Sequence, residues 1–351
     1  MDLRNWSWAN KKVLVTGHTG FKGVWLTLML QELGATVVGI SLPVTPQNKL
    51  YLDSKLSERM QSEYFTDLST ENDLDKIFEN HQFDYVFHLA AQSLVIESYE
   101  NPLKTINSNV LGTSKVLITA LEFSSILGIL VVTTDKVYEN NNSGNRFVES
   151  DKLGGQDPYS ASKAACELIT SALAGSNNPF DIPVATVRAG NVVGGGDFAP
   201  NRLIPDIYKS IIGNLPLTLR SVSSTRPWQH ILDCVFGYLL VAESQVQGSS
   251  EISESFNFGP DVSLSVQEVV KIFIDEFKID ITVLQTSPKL YESKLLNLDS
   301  TKAKIRLNWK TAYSPQETIR DAAAWYHSYS KGQSPLVLCQ DRITNYLASF
   351  R

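Results

Sequence analysis

Lys12–Thr16 (KVLVT) is a short apolar run with a β-branched bias that leads into Gly17, Gly20 and Gly23, placed at every third position. An apolar stretch through Leu26, Leu28, Met29, Leu30 and Leu33 follows and stops at Gly34, and residues 36–40 are again strand-like. A buried strand, a glycine turn, a helix with a glycine stop and a second strand make a βαβ unit. Glycine permits the tight turn and lets backbone N–H groups approach a diphosphate at a helix N-terminus, where the dipole favours negative charge. A glycine triplet can also be a loop that needs positive φ, but a strand before it and a helix after it favour a dinucleotide-binding turn.

The alternation continues. Residues 71–80 read as a helix, 85–89 as a strand, 101–123 as a helix after Pro102, 129–133 as a strand, 159–174 as a helix and 184–187 as a strand. The pattern predicts an α/β chain: a Rossmann-type, doubly wound parallel sheet over residues 1–190. Glycines at 194–196 and prolines at 200, 205 and 216 then break the rhythm. Residues 191–351 are therefore read mainly as a smaller α/β substrate lobe. A returning strand at 256–258 and an amphipathic helix at 266–277 make the boundary discontinuous, with segments around 225–262 rejoining the sheet. The polar run 140–145 (NNNSGN) reads as a surface loop.

Of the 351 residues 43% are hydrophobic and 19% charged, with a net charge of -6, which favours a soluble globular protein and gives no electrostatic reason to expect nucleic acid. Cys166, Cys234 and Cys339 are scattered and lack metal-ligand spacing, so buried thiols are expected, with no disulfide framework and no metal. Neither a leader-like apolar segment nor a membrane span is evident, which makes the cytoplasm the expected compartment.

The chemistry gathers at Thr134, Asp135 and Lys136, just past the strand at 129–133, where open α/β sheets bind ligands. Tyr159 and Lys163 lie four apart on one helix face, so the ammonium can lower the phenol's pKa and create a base for a hydroxyl proton. An adjacent acid and amine are more than alcohol oxidation needs and suggest oxidation followed by elimination. Asp67 is read either as an acceptor for an adenine amino group or as a strand-end cap. After the second strand neither an acid for a ribose hydroxyl nor an arginine for a 2′-phosphate is present, which leaves the choice between NAD and NADP open. His88 is read as a packed histidine.

In this order, the glycine turn, HLAAQ at 88–92, NVLGT at 109–113 and the YxxxK pair resemble the extended short-chain dehydrogenase/reductases acting on nucleotide sugars. GHTGFKG at 17–23, TDKVY at 134–138, RAGNVVGGGD at 188–197, RLIPD at 202–206, RPWQH at 226–230 and NFGP at 257–260 are similar to the CDP-glucose 4,6-dehydratases. Lys136 stands where the related dTDP-glucose enzymes have Glu. The resemblance implies CDP-glucose as substrate, NAD as tightly coupled cofactor, a homodimer and a place in deoxysugar supply for lipopolysaccharide O-antigen. It implies cofactor contacts from Gly17, Thr19, Gly20, Phe21, Gly23, Asp67, Leu68, Ala90, Ala91, Asn109, Tyr159 and Lys163. Substrate contacts would come from Gln92, Asn191, Arg202, Leu203, Arg226 and His230, with Asn191 and Arg202 at the diphosphate. His230 is also read as packing beneath the nucleotide. Either arginine has a surface ion pair as its alternative.

The expected reaction opens with Tyr159 taking the C4 hydroxyl proton, while Thr134 hydrogen-bonds that hydroxyl and hydride leaves C4. The new carbonyl acidifies C5. Lys136 takes the C5 proton, which requires a neutral amine or an intervening water, and a buried, protonated Asp135 protonates the departing C6 hydroxyl. Hydride then returns to C6. Two competing readings keep the fold: 4-epimerisation or decarboxylation, which does not call for the acid and amine after Thr134, and a sensor that binds cofactor without turnover.

Overall fold

A computed structural model describes residues 7–70, 73–140, 144–174, 181–219, 222–247, 253–286 and 296–350. Seven parallel strands form its central sheet: β1 (Lys12–Thr16), β2 (Thr36–Ser41), β3 (Ser62–Phe65), β4 (Tyr85–His88), β5 (Ile129–Val132), β6 (Val184–Ala189) and β7 (Ser255–Phe258). Their spatial order is β7-β6-β5-β4-β1-β2-β3. The order reverses between β1 and β4, which places the ligand crevice beyond the C-terminal ends of those two strands.

The strands other than the edge strand β3 bury both faces, as a covered parallel sheet requires. Val13, Val15, Tyr85, Phe87, Leu130 and Val132 join one core cluster, together with Trp25 and Leu232. The alternate residues Leu14, Val86, Ile129 and Val131 join another, with Phe78 and Leu117. Helix α1 (Phe21–Glu32) follows the glycine turn. Helix α2 (Pro158–Ala174) starts where Asp157 accepts the Ser160 N–H at 2.9 Å and Pro158 fills the first turn.

The continuous helix expected over 101–123 is interrupted. Pro102–Ile106 and Gly112–Leu121 are α-helical, but Asn107–Leu111 forms a wider π-helical turn. Asn109 supplies the reason: its side-chain oxygen accepts from Gln92 N–H at 2.8 Å, and its amide donates to the Gln92 carbonyl and to Ser162 at 3.0 and 2.8 Å. Such extra-residue turns are kept where a side chain must reach out of register. The run 140–145 lies partly outside the described residues.

Beyond β6 the chain leaves the sheet. Val192–Val193 pairs with Gln229–His230, Leu217–Leu219 with Val283–Gln285, and Thr225–Arg226 with Leu264–Ser265, before and after the chain's return at β7. Helix α3 (Ile231–Val246) packs under the sheet, whereas α4 (Val266–Phe277) and α5 (Pro315–Ser330) pack on each other. Capping boxes at Ser265–Glu268 and Ser314–Glu317 start these last two. Helix α6 (Pro335–Ala348) lies against α1.

A buried ion pair ties β6 to α2. Arg188 donates to Glu167 through Nε and Nη2 at 3.0 and 2.8 Å, and both side chains are almost wholly enclosed. Burial alone would push the Glu167 carboxyl up, but Arg188 with the Thr133 and Thr186 hydroxyls outweighs it and holds the group below its usual value. The contribution of this carboxylate is therefore complete above the unfolded value of about 4.3 and fades as pH falls through the lower folded value. Glu167→Gln should lower stability by about 3 kcal/mol by stranding Arg188, and should flatten the acid limb of the pH–stability curve; denaturant melts from acid to neutral pH test both.

Candidate active site

The glycine turn and the end of β4 meet at the strand-order reversal. Gly17 has φ +74, and a Cβ there would lie 2.8 Å from the backbone nitrogen of Ala90. The N-terminus of α1 has no side-chain cap and no acid in its first turn. The N–H groups of Phe21, Lys22 and Gly23 begin this helix, while the Gly20 N–H is bonded to the Gly17 carbonyl at 3.0 Å and a Cβ on Gly23 would collide with that carbonyl. Thr19 is fixed beside it, donating to Ser41 at 3.0 Å through its hydroxyl. The donor set and the absent side chains fit a dinucleotide diphosphate. At the end of β2 stands Ser41 rather than an acid, while Glu63 on β3 is engaged by His18 at 2.9 Å and Tyr51 at 2.7 Å.

Thr134 is the first residue to turn out of β5, and Asp135–Val137 form a short 3-10 turn capped by its side chain. Asp135 is 2% exposed and accepts from the Thr134 hydroxyl at 2.9 Å and from Lys136 Nζ at 3.4 Å. Its space is provided by Gly190, just past β6, where a Cβ would sit 2.9 Å from Asp135 Oδ2. Lys136 lies at the rim, its side chain 35% exposed. Tyr159, in the first turn of α2, lies beside Thr134 and within the fields of Lys136, Asp135 and Arg202. The five residues expected to carry the chemistry are thus brought to one place, with Lys163 one turn below Tyr159.

Electrostatics modify two expectations. Burial pushes the Tyr159 phenol up, and the largest opposing pull is the Lys136 charge, followed by the Thr134 hydrogen bond, rather than Lys163. Lys163 donates to the Val132 carbonyl at 2.9 Å, and burial lowers its ammonium's pKa. Lys136 departs from the neutral amine expected of a base: the Asp135 charge holds it protonated, above its usual value, against burial and Arg226.

Several residues expected to contact ligands also hold bonds within the protein. Asn109 bonds the Gln92 backbone and Ser162 and so pins the loop. The Gln92 amide donates to Thr105 at 2.8 Å and the Leu94 carbonyl at 3.0 Å, and its oxygen accepts from Leu94 N–H at 2.5 Å. His230 is buried, accepts from Leu232 N–H at 3.1 Å and pairs with Asp321 at 3.1 Å. It also stacks on Tyr313 at 4.0 Å, as a packed ring would. Asp67 caps its own strand end, accepting from Ser69 N–H and hydroxyl at 2.8 and 2.7 Å.

His88 bridges the Thr16 and Thr113 hydroxyls at 2.8 and 2.9 Å, and burial with the Lys163 charge pushes it down to about 3, so it is a neutral packed ring. Leu68 is buried, while Ala90, Ala91, Asn191 and Leu203 are half-buried around the crevice. Arg202 donates to Asp197 at 2.9 Å and to Ser93 at 3.2 Å and presents its charge to Tyr159; Arg226 presents its charge to Lys136. Gly190 enters the sequence reading only within RAGNVVGGGD, where it carries no role of its own. Among the described residues no group of His, Cys, Asp and Glu could hold a metal, and no helix is long and apolar enough to cross a membrane.

A Tyr and an Asp–Lys pair around one threonine, beside a glycine turn at a helix N-terminus, suit oxidation of an alcohol coupled to acid–base chemistry at a bound dinucleotide. Residues 14–322 match the family model described as GDP-mannose 4,6 dehydratase. The chain belongs to that family. It is 36% identical over 354 residues to the CDP-glucose 4,6-dehydratase of Salmonella typhimurium, a match covering 97% of this chain and 98% of that relative. Solved structures share the fold of this dehydratase family member. UDP-glucose 4-epimerase of Thermotoga maritima with UDP-glucose has a TM-score of 0.78 at 21% identity, covering 92% of this chain and 100% of that one. dTDP-glucose 4,6-dehydratase of Bacillus anthracis in complex with NAD has 0.77 at 21%, covering 93% and 99%.

Because Lys136 opposes the upward pressure on Tyr159, its removal has a defined sign. Lys136→Met should move the Tyr159 phenol further up, read by ultraviolet difference titration against a Tyr159→Phe blank. An unchanged titration would show that the two charges do not interact.

Proposed function

We propose that this chain converts CDP-glucose to CDP-4-keto-6-deoxyglucose and water, with NAD held in the Gly17–Gly23 cradle. The observation that carries the reading is the contact of Asp135 with both Thr134 and Lys136 beside Tyr159. An alcohol oxidation uses the Tyr and Thr alone, whereas elimination also needs an acid and a base on the next two carbons. The 36% identity to the Salmonella enzyme supports cytidine as the base.

Bound NAD supplies the acceptor for the C4 hydride and its donor back to C6. Tyr159 takes the C4 hydroxyl proton, and Lys163, one turn on, would help hold the nicotinamide ribose. Thr134 orients the hydroxyl. The C4 carbonyl makes the C5 proton acidic. Lys136, charged at rest, becomes the base by passing a proton across its 3.4 Å contact to Asp135, which creates acid and amine in one transfer. Lys136 then takes the C5 proton and Asp135 delivers one to the leaving C6 oxygen. Asn191, Leu203, Arg202 and Arg226 line the approach, the two guanidiniums suiting a diphosphate.

We further propose a homodimer of cytoplasmic residence. Leu103 at 74% and Leu168 at 61% exposure, with Ile106, Leu111 and Ile118, form apolar surface on α2 and the helices beside it. A second copy would cover it. Leu103→Glu should convert a dimer into a monomer by light scattering; an unaltered mass would place the interface elsewhere.

Incubation with CDP-glucose, dTDP-glucose, UDP-glucose and GDP-mannose, read by mass, tests the reaction. Loss of one water from CDP-glucose is expected, and an isobaric product would indicate epimerisation instead. Lys136→Ala should still oxidise C4 while water loss falls by about a hundredfold or more, the usual scale of a missing base; equal loss of both steps would remove the role assigned to it.

A further inference from the structure

After β6 the chain runs through three consecutive glycines, and each yields its side-chain space to a different element. A Cβ on Gly194 would lie 2.4 Å from Ile231 of α3, one on Gly195 2.0 Å from Trp325 of α5, and one on Gly196 2.6 Å from Leu50 of the short helix Lys49–Asp53. Trp25 Nε1 donates to the Gly195 carbonyl at 3.0 Å, and the Tyr326 hydroxyl donates to the Asp197 carbonyl. Side chains of four helices thus fix the backbone that delivers Asp197.

Asp197 is itself 7% exposed. One of its carboxylate oxygens accepts from Ala199 N–H at 3.1 Å, which sets the rotamer, and the other accepts from Arg202 Nη1 at 2.9 Å. Arg202 Nη2 donates to Ser93 at 3.2 Å. Asp197 belongs to the loop that leaves β6 and Ser93 to the loop that leaves β4. Those strands flank β5, so the guanidinium bridges the two loops on either side of the strand that delivers Thr134. An exposed ion pair contributes little to stability, but here the acid is enclosed and cannot follow the guanidinium, so the pair decides where the guanidinium stands. These bonds use two of its five N–H donors, and the others can serve an anion.

We propose that Asp197 is a positioning residue that holds Arg202 with its remaining donors ready for the diphosphate of the sugar nucleotide, a role that rests on the proposed dehydration of such a substrate. A long arginine side chain must otherwise be ordered when the anion arrives, and ordering it in advance removes that cost from binding. Asp197 touches no reacting atom and acts only through Arg202.

The test is a double-mutant cycle read by calorimetry of CDP binding to the NAD-loaded protein. Asp197→Asn keeps the side chain's shape and an oxygen for Ala199 N–H but turns an amide group toward Arg202. It should weaken CDP binding by about tenfold, the scale of ordering one long side chain. In an Arg202→Gln background the same change should do nothing further; additive losses, or an Arg202→Gln protein that binds CDP as wild type does, would overturn the assignment. NAD affinity of the cofactor-stripped protein should be the same in Asp197→Asn as in wild type. A parallel loss there would mean a disturbed loop or service to the cofactor's own diphosphate, and would also overturn it. Ser93→Ala, at the exposed end of the tie, covers the case in which Asp197→Asn does not fold: it should weaken CDP by about threefold, and only while Arg202 is present. An equal loss without Arg202 would count against the tie. Titration needs no turnover, so failure of wild type to release water from any of the four sugar nucleotides would overturn the dehydration reading and leave the cycle to decide the role of Asp197. A wild type that binds none of CDP, dTDP, UDP and GDP would overturn both.

Discussion

The enclosed Glu167–Arg188 pair is the joint on which the catalytic geometry depends. Glu167 lies one turn beyond Lys163 on the helix that carries Tyr159, and it accepts from Thr133, the neighbour of Thr134. Arg188 lies two residues before Gly190, which leaves room for Asp135, and reaches Tyr138 at 2.7 Å on the far side of the 3-10 turn. Three elements that deliver reactive side chains therefore share one charge pair. Two ions in so dry a place are costly to bury, and their many hydrogen bonds offset that cost while fixing one arrangement.

Around this joint the site is governed by local charge more than by distance along the helix. The Tyr–Lys spacing suggests that Lys163 tunes the phenol, yet in the folded protein Lys136 exerts the larger pull on it. Lys136 in turn is held charged by Asp135. Tyr159, Asp135 and Lys136 thus form one electrostatically linked set, with Thr134 bonded to Asp135.

Much of the fold is legible in the sequence because strand-length apolar runs, glycine stops and helix starts agree with one another. KVLVT and the glycine triplet yield β1, the turn and α1, and the strand expected at 256–258 arrives as Ser255–Phe258 on the sheet edge. The π-helical turn is not legible, because NSNVL has ordinary helical composition and only the bonds of Asn109 to a distant loop and helix impose it. For the same reason the internal bonds of Asn109, Gln92 and His230 are not legible in their motifs: a polar residue at a crevice edge serves loop geometry as readily as it serves a substrate. Gly190 is the opposite case, a residue without functional atoms whose missing side chain creates the space for Asp135.

The packing of α6 on α1 carries a consequence for biosynthesis. The helix that opens the diphosphate cradle emerges from the ribosome long before residues 335–348, yet Cys339, Ile343 and Leu347 share its core cluster. During translation the cradle's supporting helix waits with an uncovered apolar flank. Competence to hold a dinucleotide is thus coupled to the arrival of the last helix, and a chain arrested before it would present that flank to chaperones rather than a finished binding site.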